Sequence, residues 1–270
     1  MLQLQKGIYF GIQNKVIHLD SLIITDTEYT HDKVDWHTHQ NPYFTFMLTG
    51  NMQETNKKGS YECQAGTLLF HNWQDAHCNI KHPGYTRGFH MELENDFFKR
   101  YQLSISQMEG SLKLDNPVLK LLFRNMYMET KCTADIELLS IRESLFKVLG
   151  FLTGEKYRET ARQPAWVKKI KEVLNEADAA TLSWDVLAAI AQVHPVHLSR
   201  SFPTYFNTTV GDYLKKLRVD QAAVLLAKAN VSLTQIGYEC GFADQSHFIR
   251  SFKQAVGVTP LRYRKIIAVR

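Results

Sequence analysis

Ser232-Leu-Thr-Gln-Ile-Gly-Tyr-Glu-Cys-Gly-Phe-Ala-Asp-Gln-Ser-His-Phe-Ile-Arg-Ser-Phe-Lys-Gln-Ala-Val-Gly-Val-Thr-Pro-Leu-Arg-Tyr-Arg264 decides the fold of the C-terminal part of the chain. Ser232 or Thr234 can cap a helix that runs through Tyr238 and stops at Gly241. Ala243-Asp244 opens a second helix through Val256, with Gly257 as its stop. Two short helices joined by a tight glycine-containing turn form a helix-turn-helix. On a helical wheel of about 100° per residue, Phe248 and Phe252 face a core. Ser246, Ile249, Arg250 and Lys253 face outward, with Gln245 at the edge of that face.

The pattern occurs twice, with an offset of 50 residues. Val186 matches Ile236, His197 matches His247, and Leu198 matches Phe248. Arg200-Ser201-Phe202 matches Arg250-Ser251-Phe252, Thr209 matches Thr259, and Tyr213 matches Tyr263. A repeat of this kind is one supersecondary unit used twice. The upstream copy reads as a helix over Trp184–Ala191 followed by another over Pro195–Phe206, with proline in the first turn. Leu198 and Phe202 face inward there, and Val196, Ser199 and Arg200 face outward.

An outward face of short, basic and hydrogen-bonding side chains fits a DNA major groove. Arg binds guanine in bidentate fashion, Gln binds adenine, and an aliphatic group meets the thymine methyl. A solvated helix face is the bland alternative, and its appearance twice at fixed spacing argues against it. Between the copies, Val210–Ala229 carries Tyr213, Leu214, Leu217, Ala222, Leu225 and Leu226 at helical period. Such a rod spans about 30 Å. Adjacent major-groove segments on one face of DNA lie about 34 Å apart.

The segment Ser232–Arg264 resembles the signature of AraC/XylS-type transcription regulators, and the resemblance extends from near Trp166 to Lys265. It implies two helix-turn-helix units joined by a long helix, with base contacts near Val196, Ser199 and Arg200, and near Gln245, Ser246, Ile249 and Arg250. His197 and His247 fall between the two helix faces and read as packing or phosphate-side residues. Pro203 departs from the family pattern and removes one backbone donor inside its helix. Asn207 stands where glycine is usual, and Asn tolerates a left-handed turn.

Charge follows the same division. The chain has 270 residues and a net charge of +5. From Arg162 onward there are 15 Lys and Arg against 8 Asp and Glu, while the remainder has 17 against 19. A basic segment beside a near-neutral one points to a polyanion partner for the basic part. Four widely separated cysteines without a C-x-x-C pair exclude a disulfide framework or zinc knuckle and suit a reducing cytosol. With no secretion signal and no apolar run of about 18 residues, a cytoplasmic protein without membrane contact is expected.

Residues 1–93 read as short strands, such as Tyr43–Thr49, Thr67–Phe70 and Tyr85–Met91, punctuated by glycine and proline turns. That pattern suggests a sandwich or barrel. Residues 94–153 read as amphipathic helices, including one from Pro117 and one over Asp135–Leu152. Their apolar faces call for the barrel or a second subunit as partner. The polar run 154–164 reads as a linker and 165–270 as the DNA-binding domain. The fold class expected is therefore α+β.

The family resemblance implies that the strand-rich part is a cupin-like barrel that binds an effector or dimerises. His37-Thr-His39 places two imidazoles on one face of an extended segment. Gly66 precedes His77 by 11 residues, close to the second cupin metal motif. His37, His39 and His77 are thus candidate ligands for a divalent metal. The carboxylate that the motif expects is missing from Asn41-Pro42-Tyr43-Phe44, so no cofactor at all is the alternative. A pocket lined by His37, His39, Tyr43, Phe44, Trp73 and His77 would suit a sugar, an aromatic acid or another organic acid, unless the aromatics simply fill the barrel.

Three readings remain open. One is an effector-responsive regulator, an activator by family, with double-stranded DNA, a small-molecule effector, a second copy of the chain and RNA polymerase as partners. Another is a metal-dependent cupin enzyme with an accessory basic tail. The third is a regulator whose barrel only dimerises.

Overall fold

The computed structural model describes residues 1–72, 75–103, 110–132, 138–160, 163–228 and 231–268. The described chain is α+β and divides into two units, Met1–Asp115 and Asn116–Arg270.

The first unit contains two sheets. One has the order β1 (Leu2–Leu4), β4 (Lys33–His39), β9 (His77–Lys81), β6 (Asn51–Asn56) and β7 (Gly59–Gln64). The other has the order β11 (Leu112–Lys113), β8 (Leu68–His71), β5 (Tyr43–Thr49), β10 (Arg87–Leu93), β3 (Leu22–Glu28) and β2 (Ile12–Leu19). β1 and β4 pair in parallel, and the other neighbours are antiparallel. Central strands β3, β5, β8 and β10 are buried along nearly their whole length, which explains their continuous apolar and β-branched runs. Edge strand β2 alternates between exposed and half-buried residues, as a one-sided strand does. Arg87 on β10 and Asp26 on β3 form a buried bidentate pair, with both bonds at 2.6 Å.

The sequence places the end of this unit at residue 93, whereas the structure extends it to Asp115. Glu94 leads into α1 (Asn95–Arg100), which buries Phe97 and Phe98. β11 then joins the second sheet by pairing with β8, a non-local bond that no run of two residues can announce.

The second unit is helical: α2 (Pro117–Cys132), α3 (Leu138–Thr160), α4 (Ala165–Glu176), α5 (Trp184–Ala191), α6 (Pro195–Phe206), α7 (Val210–Leu226), α8 (Leu233–Glu239), α9 (Gln245–Val256) and α10 (Pro260–Ala268). The expected linker 154–164 is corrected in part, because α3 continues to Thr160. Glu155, Lys156, Arg158 and Glu159 are good helix formers, so polarity there does not signal coil. The segment 94–153 is also not one piece. α2 belongs to the helical unit, where it packs on α7, α9 and α3.

A buried polar network accounts for the position of α2. Arg124 donates from Nη2 to Asp220 Oδ1 on α7 at 2.6 Å and from Nη1 to the Tyr263 hydroxyl on α10. Asn125 Nδ2 donates to the Ala255 carbonyl at the end of α9 at 3.0 Å. Burial opposes the Arg124 charge, but Tyr263 and Asp220 outweigh it and hold the pKa above its ordinary value.

α4, α5 and α6 share a core of Trp166, Ile170, Leu187, Leu198, Phe202 and Phe206 with the first half of α7. The expected rod through Ala229 is shorter, since α7 ends at Leu226 after 17 residues. At 1.5 Å per residue it is about 26 Å long.

Candidate nucleic-acid interface and a buried histidine chamber

The internal repeat is built as a repeat of structure. α6 and α9 each have 12 residues, Pro195–Phe206 and Gln245–Val256, which coincide under the offset of 50. The following helices start at Val210 and Pro260, again 50 apart. Thr209 and Thr259 cap them alike, accepting from the backbone N–H of Asp212 and of Arg262. Tyr213 and Tyr263 are buried under both copies.

The caps explain where the second helix of each pair begins. Asp244 accepts a 2.7 Å bond from the His247 N–H, and His194 accepts one from the Val196 N–H. At the far ends, Asn207 and Gly257 adopt left-handed conformations, with φ of 56° and 80°. The turn of the downstream copy needs Gly241, whose φ is +75° and whose added Cβ would lie 2.9 Å from the Ala180 Cα. Pro203 leaves α6 continuous from Pro195 to Phe206.

On α6, Val196 and Arg200 are exposed and Ser199 is half-buried, while Leu198 and Phe202 are fully enclosed. On α9, Gln245, Ser246, Arg250 and Lys253 are exposed and Ile249 is half-buried, with Phe248 and Phe252 enclosed. Gln245 Oε1 accepts a 3.0 Å bond from Thr234 of α8, which orients the amide at the helix start. The exposed side chains offer two guanidiniums, an ammonium, an amide and a hydroxyl.

A second candidate site is a chamber between the two sheets of the first unit. His37 and His39 on β4 and His77 on β9 line it from one sheet, and Tyr43 and Thr45 on β5 and His90 on β10 from the other. It holds a small cavity of ≈ 40 Å³, room for about one or two waters. Trp73 lies outside the described residues. Phe44 is a correction: it sits on the opposite face of β5 from Tyr43, fully buried, with its ring 4.9 Å from that of Phe70. Successive residues of a strand cannot both face one chamber.

Glu54, which lines the chamber, and His71, which packs behind it against Tyr43 and His77, escaped the sequence reading. His71, on β8 directly across from Tyr43, stacks on that ring at 4.4 Å. Glu54 lies in the inward-facing set Met52, Glu54 and Asn56 of β6. The period-two alternation of β6 was the available signal for Glu54. His71 depends on which strand β8 pairs with.

The imidazoles differ in their partners. His37 Nδ1 lies 2.8 Å from the Asp35 carbonyl and His77 Nδ1 lies 3.4 Å from the Asp75 carbonyl. A carbonyl only accepts, so each Nδ1 carries the proton and each Nε2 keeps its lone pair. The Tyr43 hydroxyl donates to His77 Nε2 at 3.0 Å. His90 is satisfied at both nitrogens, by Thr45 and Tyr29, and stacks on Tyr9. His39 Nδ1 and His71 Nδ1 are enclosed without a hydrogen-bond partner.

Burial disfavours charge throughout the chamber. It pushes His77 and His90 down to about 3 and lowers His37, His39 and His71. It pushes Glu54 up to about 8, against a hydrogen bond from Asn79. His71 Nδ1 and Glu54 Oε1, 3.6 Å apart, are therefore neighbours and not an ion pair. His37, His39 and His77 can each bring one ligand atom within 4.8 Å of the others, and Glu54, His71 and His77 can do the same.

Residues 187–266 match a family model described as a helix-turn-helix domain, a segment that holds α6 to α9 entire and all but the first three residues of α5. Over 101 residues the chain is 31% identical to the bifunctional transcriptional activator/DNA repair enzyme AdaA of Bacillus subtilis, covering 37% of this chain and 48% of that protein. The chain thus spans about half of AdaA's length. It is 21% identical over 280 residues to the HTH-type transcriptional activator RhaR of Mannheimia succiniciproducens, covering 98% of this chain and 97% of that one. Among solved structures, ToxT from Vibrio cholerae is similar over 93% of this chain and 100% of its own, at 14% identity and a TM-score of 0.37.

Proposed function

We propose that this chain is a sequence-specific DNA-binding transcription regulator and not an enzyme. In this reading α6 and α9 are recognition helices, and a small ligand in the inter-sheet chamber alters how they engage DNA. The observation that carries it is the duplicated unit: two 12-residue helices at identical register, each capped at its start, each with an arginine on its exposed face.

Arg200 and Arg250 would read guanine in bidentate fashion, Gln245 would read adenine, and Val196 and Ile249 would meet thymine methyls. Ser199 and Ser246 would add single hydrogen bonds, and Lys253 would anchor a phosphate. The connecting helix α7 is shorter than the groove repeat of about 34 Å. A modest bend in the DNA would bring both helices into register.

The chamber's lining bears on the ligand. A small ligand such as a sugar or an organic acid, or an ion with its waters, would meet imidazoles, the Tyr43 hydroxyl and Glu54 there. A ligand changes DNA binding only by the difference in its affinity for the two states of the protein.

Selection of fragments by the full chain from a random DNA pool tests the reading. It predicts one enriched motif with two short conserved blocks about one helical turn apart. Enrichment of no motif, with affinity set by salt alone, would leave only non-specific polyanion binding.

A further inference from the structure

We propose that the buried cluster of Glu54, His71 and His77, at the wall of the chamber, binds one zinc-class divalent ion. The binding itself is independent of the regulator reading; only its consequence for DNA rests on that reading.

The H-x-H motif points elsewhere, to His37 and His39, and at the motif's carboxylate position this chain has Tyr43. The structure supplies a carboxylate from a different strand. Glu54 on β6, His71 on β8 and His77 on β9 are 2%, 1% and 2% exposed, and their ligand atoms converge within 4.8 Å. No sequence motif connects the three.

Three observations favour this set. First, His71 Nδ1 is enclosed with no hydrogen-bond partner and faces Glu54 Oε1 at 3.6 Å. That gap is too long for a hydrogen bond, yet it is close to the edge of a tetrahedral site with bonds of 2.0–2.1 Å, about 3.3 Å. Second, the other carboxylate oxygen is held, since Asn79 Nδ2 donates to Glu54 Oε2 at 3.3 Å. Bonds of this type orient a ligand from behind. Third, Glu54 brings a negative charge that compensates the ion directly, whereas three imidazoles alone leave that to a bound hydroxide.

The third ligand is a ring nitrogen of His77. Its Nδ1 faces the Asp75 carbonyl, so the ion would replace the Tyr43 hydroxyl as the partner of Nε2. Two imidazoles and one carboxylate leave a position open for water, and the chamber has room for it. Lys81 lies at the chamber wall, but its ammonium is engaged by the carbonyls of His82 and Gly84 and by Asp32. The two triads share His77, so one ion uses it at a time.

The test uses the full chain, stripped with a chelator and titrated with Co²⁺ as a spectroscopic probe and with Zn²⁺ in competition. The expected result is one ion per chain, with the intense visible absorption of four- or five-coordinate cobalt. Glu54→Gln and His71→Gln should each weaken binding by more than about 100-fold, beyond the usual effect of losing an outer-sphere partner. His37→Gln should change it by less than about 10-fold. The absence of stoichiometric binding overturns the proposal. So does loss of binding in His37→Gln or His39→Gln with retention in Glu54→Gln and His71→Gln, which would place the ion in the other triad.

Should a variant fail to fold, an anomalous-scattering map of cobalt-loaded wild-type crystals decides the matter. A peak bonded to Glu54 and His71 supports the assignment, and a peak among His37, His39 and His77 alone contradicts it. The same protein, loaded or stripped, is then measured on its selected DNA. Unchanged DNA affinity with cobalt bound would preserve the metal site and remove the ligand-responsive part of the proposed function.

Discussion

Arg124→Ala tests how the second unit is held together. Arg124 is 2% exposed and joins three helices, through Asp220 on α7 and Tyr263 on α10. Removing the guanidinium leaves the Asp220 carboxylate buried, with Lys120 Nζ 4.0 Å away. Breaking a buried pair by removing one partner costs about 3–5 kcal/mol, because the remaining charge is uncompensated. A unit of this size loses roughly 2–4 °C of Tm per kcal/mol, so its unfolding transition should fall by roughly 6–20 °C. Scanning calorimetry of the full chain reads this directly as a shift in one transition.

The double variant Arg124→Met with Asp220→Leu removes both charges and fills the space with apolar groups, which should recover most of the loss. A cycle through Arg124→Met, Asp220→Leu and the double variant should give a coupling of at least about 2 kcal/mol. A Tm shift below about 3 °C for Arg124→Ala, or a double variant no more stable than the single, would refute the claim that charge pairing positions α2.

Three further outcomes follow from local geometry. Asp244→Ala removes the cap of α9 and should destabilise the second unit by about 1 kcal/mol in thermal unfolding; no change would mean that the cap bond is replaced by water. Gly241→Ala places a Cβ 2.9 Å from Ala180 at a φ of +75°, and a loss of at least about 1–2 kcal/mol is expected by the same measurement. A neutral effect would show that this turn relaxes freely. Lys253→Ala should weaken DNA binding evenly across sequences and reduce the salt slope of log K by about 0.9, measured by titration at several salt concentrations. A loss confined to one base pair would instead make Lys253 a base reader.

What the sequence made legible was what local chemistry determines. The bounds of α6 and α9 follow from Pro195, the Asp244 cap, Asn207 and Gly257, each acting within a few residues of itself. β5 coincides with its apolar run, Tyr43–Thr49. What stayed hidden depends on partners distant in sequence. β11 belongs to the first unit because it pairs with β8, and α2 belongs to the second because Arg124 meets residues about 100 and 140 positions later, a polar core that hydrophobic periodicity cannot signal. In the chamber, the H-x-H and His77 were legible as a spaced motif. Glu54 was signalled only as an inward position by the alternation of β6, and His71 not at all, because sheet order alone places their strands beside β9 and β5. Assigning both Tyr43 and Phe44 to one pocket overlooked the alternation of the strand that carries them.

The most direct test of the central claim sets Arg200→Ala and Arg250→Ala against a library of single-base changes in the selected DNA site. Each variant should lose about 1–3 kcal/mol and lose its preference at one base pair only, and the two affected positions should lie about 10 base pairs apart. A uniform loss at every position for both variants, or two affected positions on opposite faces of the duplex, would contradict paired recognition helices.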